Sequence, residues 1–102
     1  MANFRSDSID TFFRAVLALK DREECYSFFE DVCTVKEIQD MAQRFEAAVM
    51  LDEGANYQAI TKKIGLSTAT IGRVSRCLKY GAGGYSLAIE RMKNGEKDDA
   101  EQ

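Results

Sequence analysis

The sequence contains neither proline nor histidine. The first absence removes the commonest helix breaker and is typical of an all-α fold. The second removes the usual general base and the commonest metal ligand. There is also no G-x-x-x-x-G-K-[ST] phosphate loop and no G-x-S-x-G nucleophile motif. We therefore expect neither an enzyme nor a metal site.

Long apolar runs are absent as well, since no stretch approaches the roughly 20 residues that span a bilayer. The first residues, MANFRSDSID, lack the basic and then apolar pattern of a secretory signal. The cysteines are odd in number and have no C-x-x-C spacing, which predicts reduced, buried thiols at Cys25, Cys33 and Cys77. A cytoplasmic protein without a membrane segment is expected.

Acidic residues are missing from residues 54–89. The net charge of the whole chain is −3, yet this segment holds no Asp or Glu and the rest of the chain carries −8. Local positive charge favours phosphate binding because it displaces condensed counterions. The alternative is a basic face that is merely solvated. The five basic residues of the segment are Lys62, Lys63, Arg73, Arg76 and Lys79.

Capping residues predict the first three helices. The first is capped by Ser8 or Asp7 and runs to about Lys20. Asp21 and Thr34 open the next two, each with a glutamate three positions later, as in a capping box.

The remainder of a helical domain over residues 1–93 follows from apolar spacing and glycines. The third helix carries an apolar stripe that includes Val35, Met41 and Ala48, and it ends before Gly54. A last helix is predicted to end near Lys93. Residues 94–102 form an acidic, polar tail that is predicted to be disordered.

Residues 56–80 have the pattern of a helix-turn-helix. Asn56 and Ser67 are predicted N-caps of its two helices. Gly65 lies between the helices, where a left-handed residue commonly ends a helix. Apolar residues one turn apart define the inward faces, at Ile60, Ile64, Ile71, Val74 and Leu78.

The outward face of the second helix predicts contacts with DNA. In a helix-turn-helix this helix lies in the major groove with its first turns against base edges. A hairpin without a role in DNA binding is the alternative. The residues predicted to contact DNA are Gln58, Thr61, Lys62, Ser67, Thr68, Ala69, Thr70, Gly72, Arg73 and Arg76.

The first two predicted helices are rich in phenylalanine, at Phe12, Phe13, Phe28 and Phe29. Such wide apolar stripes on short helices either cover the core of their own chain or pack against a second copy. The pattern favours a homodimer. A helical protein-interaction module without DNA binding is the competing function, and a free apolar patch remaining after dimerisation would indicate it.

The stretch from Thr34 to Lys79 resembles the Trp repressor superfamily, and RVSRCLKYGAGGY is similar to its YerC/YecD-type branch. The most specific matches are the run Ala69-Thr70-Ile71 and Arg73. The resemblance implies an all-α fold of about six helices and an intertwined homodimer whose recognition helices meet successive major grooves of a palindromic DNA operator. The implied function is that of a transcriptional regulator, a repressor.

The same resemblance implies a pocket for a small-molecule corepressor. Two arginines sandwich an indole ring in the tryptophan-responsive members, and Arg44 and Arg73 match them, with Thr34 lining the same pocket. From the sequence alone, Arg44 faces either a solvent cleft or a salt-bridge partner. Val74 replaces a small glycine and would crowd the ring, while Cys77 replaces a serine and is a poorer hydrogen-bond partner. Both departures count against tryptophan as the effector.

Overall fold

A computed structural model describes residues 3–101 of the chain, with side chains described for residues 3–95. This part of the chain contains six α-helices and no strand, so the predicted all-α fold is confirmed. In chain order the helices are α1 (Asp7–Ala18), α2 (Arg22–Val32), α3 (Val35–Asp52), α4 (Tyr57–Ile64), α5 (Thr68–Tyr80) and α6 (Gly84–Glu101). The chain divides into two compact units, residues 1–38 and residues 39–102, with the boundary inside α3.

In the first unit, side chains that cap their own helices set where α1 and α2 begin. The helix α1 begins at Asp7 and its cap is Ser6, whose Oγ accepts a hydrogen bond of 3.1 Å from the Ile9 N–H, so the predicted cap at Asp7 or Ser8 is wrong. The Asp21 carboxylate accepts from the Glu24 N–H at 2.9 Å, as predicted. In both helices the cap side chain satisfies one N–H group of the first turn that has no partner within the helix.

The phenylalanines of the first unit form a ring cluster that stays partly open to solvent. Phe12 lies 5.7 Å from Phe28 between ring centroids, and Phe28 meets Phe29 edge to face at 5.3 Å. No residue of α1 or α2 is buried. Leu17 is 84% exposed and Tyr26 is 66% exposed. The two helices therefore contact each other without completing a core.

Both ends of α3 follow from local sequence. Thr34 and Glu37 form a reciprocal capping box, in which each side chain accepts from the backbone N–H of the other at 3.1 and 2.9 Å. The hydrogen bond from the Thr34 N–H, joined by the Thr34 side chain, holds the pKa of Glu37 below its ordinary value. At the far end Gly54 has φ +90°, and the Ala55 N–H donates to the Met50 carbonyl at 2.9 Å. This is the Schellman pattern that ends a helix.

The second unit holds the buried core. Four helices supply its members, which are Ala47, Ala48, Ile60, Ile71, Val74 and Ile89. The predicted α3 stripe is wrong at its start, because Val35 and Met41 are exposed while Ala47 is buried. Alanines at the core end of α3 leave space for the isoleucines of the helices that follow it.

A surface ion pair ties α6 to the end of α3. Lys93 Nζ lies 2.9 Å from Asp52 Oδ2, and this contact raises the pKa of Lys93. The predicted end of the last helix near Lys93 is too early, since α6 continues to Glu101. The side chains beyond residue 95 lie outside the described residues, so the disorder predicted for residues 94–102 stays a prediction.

The three thiols are free, but the prediction that all are buried is wrong. Cys25 and Cys77 are exposed, and Cys33 is half-buried. Among the described residues, no helix combines the length and the apolar character needed to cross a membrane.

Candidate nucleic-acid interface and effector cleft

The turn between α4 and α5 is tight and closed by short-range hydrogen bonds. Gly65 adopts φ +89°, and its N–H donates to the Thr61 carbonyl at 2.8 Å. The Thr61 hydroxyl donates in turn to the Leu66 carbonyl at 3.1 Å. A β-carbon at Gly65 would be strained in this left-handed conformation. The turn therefore has the geometry that its sequence predicted.

Both helices of the motif begin with the predicted caps. Asn56 Oδ1 accepts from the Ala59 N–H at 2.8 Å, and Ser67 Oγ accepts from the Thr70 N–H at 3.1 Å. Each cap satisfies one N–H group of the first turn that has no partner within its own helix.

Burial fixes which face of α5 points outward. Ile71 is fully buried, Val74 is 3% exposed, and Ile60 of α4 is buried in the same cluster. Thr68, Ala69, Arg73 and Arg76 are exposed, and Thr70 and Gly72 are half-buried. On α4, Gln58, Thr61 and Lys62 are exposed.

Gly72 lies in open space within α5. A β-carbon built there meets no atom within 4 Å, so packing inside the chain does not require glycine at this position. Glycine in a helix interior costs about 1 kcal/mol relative to alanine. The helix therefore bears a cost that no contact of its own chain explains.

The hydroxyls at the start of α5 form a small network. Ser67 Oγ lies 3.1 Å from Thr70 Oγ1, which also accepts from Arg73 Nη2 at 3.2 Å. The hydrogen bond thus holds the Arg73 guanidinium next to Thr70, one turn earlier in α5. Arg73, a residue predicted to contact DNA, is therefore constrained by a hydrogen bond within its own helix.

The cations of the motif differ in how free they are. Lys63 Nζ lies 3.7 Å from Glu46 Oε2. Within the described residues, Lys62, Arg76 and Lys79 form no salt bridge. An exposed cation that has no acidic partner is available to bind a phosphate. These three side chains are therefore the best candidates of the motif for contacts with an anionic partner.

A cleft of about 410 Å³ opens beside α5. The structure brings together here three of the residues predicted for the effector pocket, Arg44, Arg73 and Cys77. Val74 belongs to the buried core and also lines the cleft. The remaining lining residues are Asp40, Leu66, Thr70, Val74 and Tyr85.

The predicted pocket and the observed cleft differ in some of their lining residues. Thr34 caps α3 in the first unit, and its place in the pocket stays a prediction. Asp40 lies one helical turn before Arg44, so an i, i+4 rule from Arg44 would have found it. Leu66 and Tyr85 come from a turn and from α6, and nothing in the local sequence relates them to Arg44.

Comparison with known proteins supplies the family. The family model for the Trp repressor protein matches residues 7–93. The uncharacterized protein YerC of Bacillus subtilis is 51% identical over 94 residues, which cover 92% of this chain and 90% of that protein.

Two crystal structures agree with this assignment. A Trp repressor candidate from Staphylococcus aureus is 46% identical with a TM-score of 0.84, covering 87% of this chain and 89% of that one. A TrpR-like protein from Eubacterium eligens is 49% identical with a TM-score of 0.85, covering 87% and 92%. The match along nearly the whole described chain, with the helix-turn-helix at its centre, makes this protein a member of the Trp repressor family.

Proposed function

We propose that the protein is a sequence-specific DNA-binding regulator of transcription, a repressor, that acts in the cytoplasm as a homodimer. One observation carries the proposal. The outward face of α5 is free of acidic residues, lies beside unpaired cations, and is held in place by caps and a buried inner face. Membership of a repressor family supports the same function.

The residues divide into two roles under this proposal. Thr68, Ala69 and Gly72 would meet base edges, since the first turns of a recognition helix enter the major groove. Gln58, Lys62 and Arg76 would contact the sugar-phosphate backbone, which fixes register without reading sequence.

The exposed apolar residues support a homodimer. Many large hydrophobic side chains are exposed, among them Leu17 and Tyr26 in the first unit and Tyr80, 83% exposed, in the second. A small domain that exposes this much apolar surface commonly covers it with a partner. A second copy would cover them and would present two recognition helices to one palindromic site. Sedimentation at micromolar concentration tests this, and a monomer would contradict it.

The cleft beside α5 is proposed as the site of a small-molecule effector. Two guanidinium groups, of Arg44 and Arg73, favour a ligand with an anionic group. Tryptophan is disfavoured because Val74 is packed in the core and closes part of the wall. Calorimetry with tryptophan is the direct check, and clear micromolar binding would contradict this preference.

The competing function is a protein-interaction module, which the exposed side chains of α1 and α2 favour. The two hypotheses differ in what covers this surface. Apolar side chains that stay exposed in the dimer would favour a partner protein, whereas their burial on dimerisation would favour the regulator.

Selection of genomic fragments tests the main proposal. The full chain is mixed with sheared genomic DNA, and the bound fragments are sequenced and then titrated at several salt concentrations. Enrichment of a palindromic sequence, bound more tightly than unrelated DNA, is expected. Binding without preference would refute sequence specificity, and no binding at low salt would refute a DNA-binding function.

A further inference from the structure

We propose that Thr61 is a positioning residue that fixes the direction of α5, and that it does not donate a hydrogen bond to DNA. This inference rests on the proposed function, because it concerns how the recognition helix is aimed.

The hydrogen bonds of Thr61 lie on both sides of the turn. Its carbonyl accepts from the Gly65 N–H at 2.8 Å, and its hydroxyl donates to the Leu66 carbonyl at 3.1 Å. The left-handed Gly65 is thus enclosed between two bonds from one residue. The second bond spans five positions and needs the side chain, so other residue types at position 61 would lose it.

The Leu66 peptide leads directly into the cap of α5. Its carbonyl belongs to the peptide group whose N–H is that of Ser67, and Ser67 Oγ accepts from the Thr70 N–H. Fixing the plane of that peptide fixes where the first turn of α5 begins. Thr61 therefore acts on the recognition helix through Leu66 and Ser67.

The count of protons argues against a direct phosphate contact. A hydroxyl has one proton, and phosphate oxygens only accept. The Thr61 proton is already donated to the Leu66 carbonyl. A phosphate contact would break that bond, and the two roles are therefore mutually exclusive.

Two substitutions separate the roles. Thr61→Val keeps the shape and removes the hydroxyl, while Thr61→Ser keeps the hydroxyl and serves as the rescue. Position 61 is exposed, and valine and threonine have similar helix propensities, so both variants should fold. Lys62→Gln is the matched control for a neighbouring phosphate contact.

The first readout is amide hydrogen exchange in the free protein. Thr61→Val is expected to speed exchange at the Gly65 and Thr70 N–H groups about fivefold, the factor for one ordinary hydrogen bond. Thr61→Ser and Lys62→Gln should match the wild type. Exchange in Thr61→Val equal to the wild type would overturn the inference.

The second readout is the ratio of affinities for the selected fragment and for unrelated DNA. Thr61→Val should lower this ratio about fivefold, because a misdirected helix loses base contacts first. Lys62→Gln should weaken both affinities together. An equal loss on both DNAs in Thr61→Val would make Thr61 a phosphate contact and overturn the inference. A wild type without site preference would overturn the proposed function instead, and faster exchange in Thr61→Val would then still support the constraint on the turn.

Discussion

Replacing Gly72 by alanine is expected to make the protein more stable and a weaker DNA binder. The position lies inside α5, and the added methyl group meets no atom of the chain within 4 Å. Alanine is favoured over glycine in a helix by about 1 kcal/mol. For a domain of this size that gain raises the Tm by roughly 4–8 °C.

The effect on DNA binding has the opposite sign under the proposed function. Gly72 shares the outward face of α5 with Ala69 and Arg76. A methyl group there would hold the helix away from the base edges. Overfilling a close-packed contact costs about 1–3 kcal/mol, which corresponds to roughly a 5- to 150-fold loss of affinity.

Thermal unfolding and a mobility-shift titration on the selected fragment measure the two effects. Protein concentration must be equal throughout, because the proposed dimer would make the Tm depend on it. Gly81→Ala is the control for stability, since a β-carbon at Gly81 would overlap the Cys77 carbonyl oxygen and should destabilise the protein. An unchanged Tm in Gly72→Ala would refute the propensity argument. A raised Tm with unchanged affinity would refute close approach to DNA.

Three further outcomes are expected. Arg76→Ala should lower DNA affinity and reduce the slope of log affinity against log salt by about one; an unchanged slope would remove Arg76 from the phosphate contacts. Because the pKa of Glu37 is held below its ordinary value of 4.5 by the Thr34 N–H, its charge stabilises the fold above that value, and the stabilisation disappears as pH falls through the lowered pKa. Urea unfolding across this range should show that Glu37→Gln lacks this step, and identical pH profiles would contradict it. Ile71→Ala should reduce the free energy of unfolding by about 2–5 kcal/mol, since the side chain is fully buried; a loss well below that in urea unfolding would show that the site collapses around the cavity.

Local rules predicted the helix starts wherever a single cap was available. Asp21, Thr34, Asn56 and Ser67 each cap a helix through a hydrogen bond to an N–H three positions on. This geometry depends on four consecutive residues, so the sequence contains all of it. The cap of α1 is the exception, because Ser6, Asp7 and Ser8 are all good capping residues and the rule does not rank them.

The spacing of apolar residues predicts which side of a helix is apolar, but not which other element packs against that side. The spacing that placed Ile71 and Val74 inward was correct, because α4 supplies Ile60 against them. The same spacing placed Val35 and Met41 on an apolar stripe, yet both are exposed. Burial needs a second surface, and its position is a property of the tertiary fold.

The candidate sites show the same division. The family resemblance predicts that Arg44, Arg73 and Cys77 line one pocket, and in the structure all three line the same cleft. The hydrogen bond from Thr61 to Leu66 was not predictable, because it requires the left-handed turn at Gly65 to fold the chain back on itself. A threonine in an exposed helical position otherwise has the sequence pattern of a surface contact.

The glycine junctions at Gly54 and Gly65 have a consequence for the order of assembly. The bonds that close them join residues no more than five positions apart, such as the Ala55 N–H to the Met50 carbonyl. Segments built from such local contacts have low contact order and fold in microseconds to milliseconds. The turns that join α3, α4 and α5 are therefore expected to form early in folding, before the helices complete the shared core. Under the proposed function, pairing of two copies is a concentration-dependent encounter, and it would then be the slow step before a newly made protein can bind its operator.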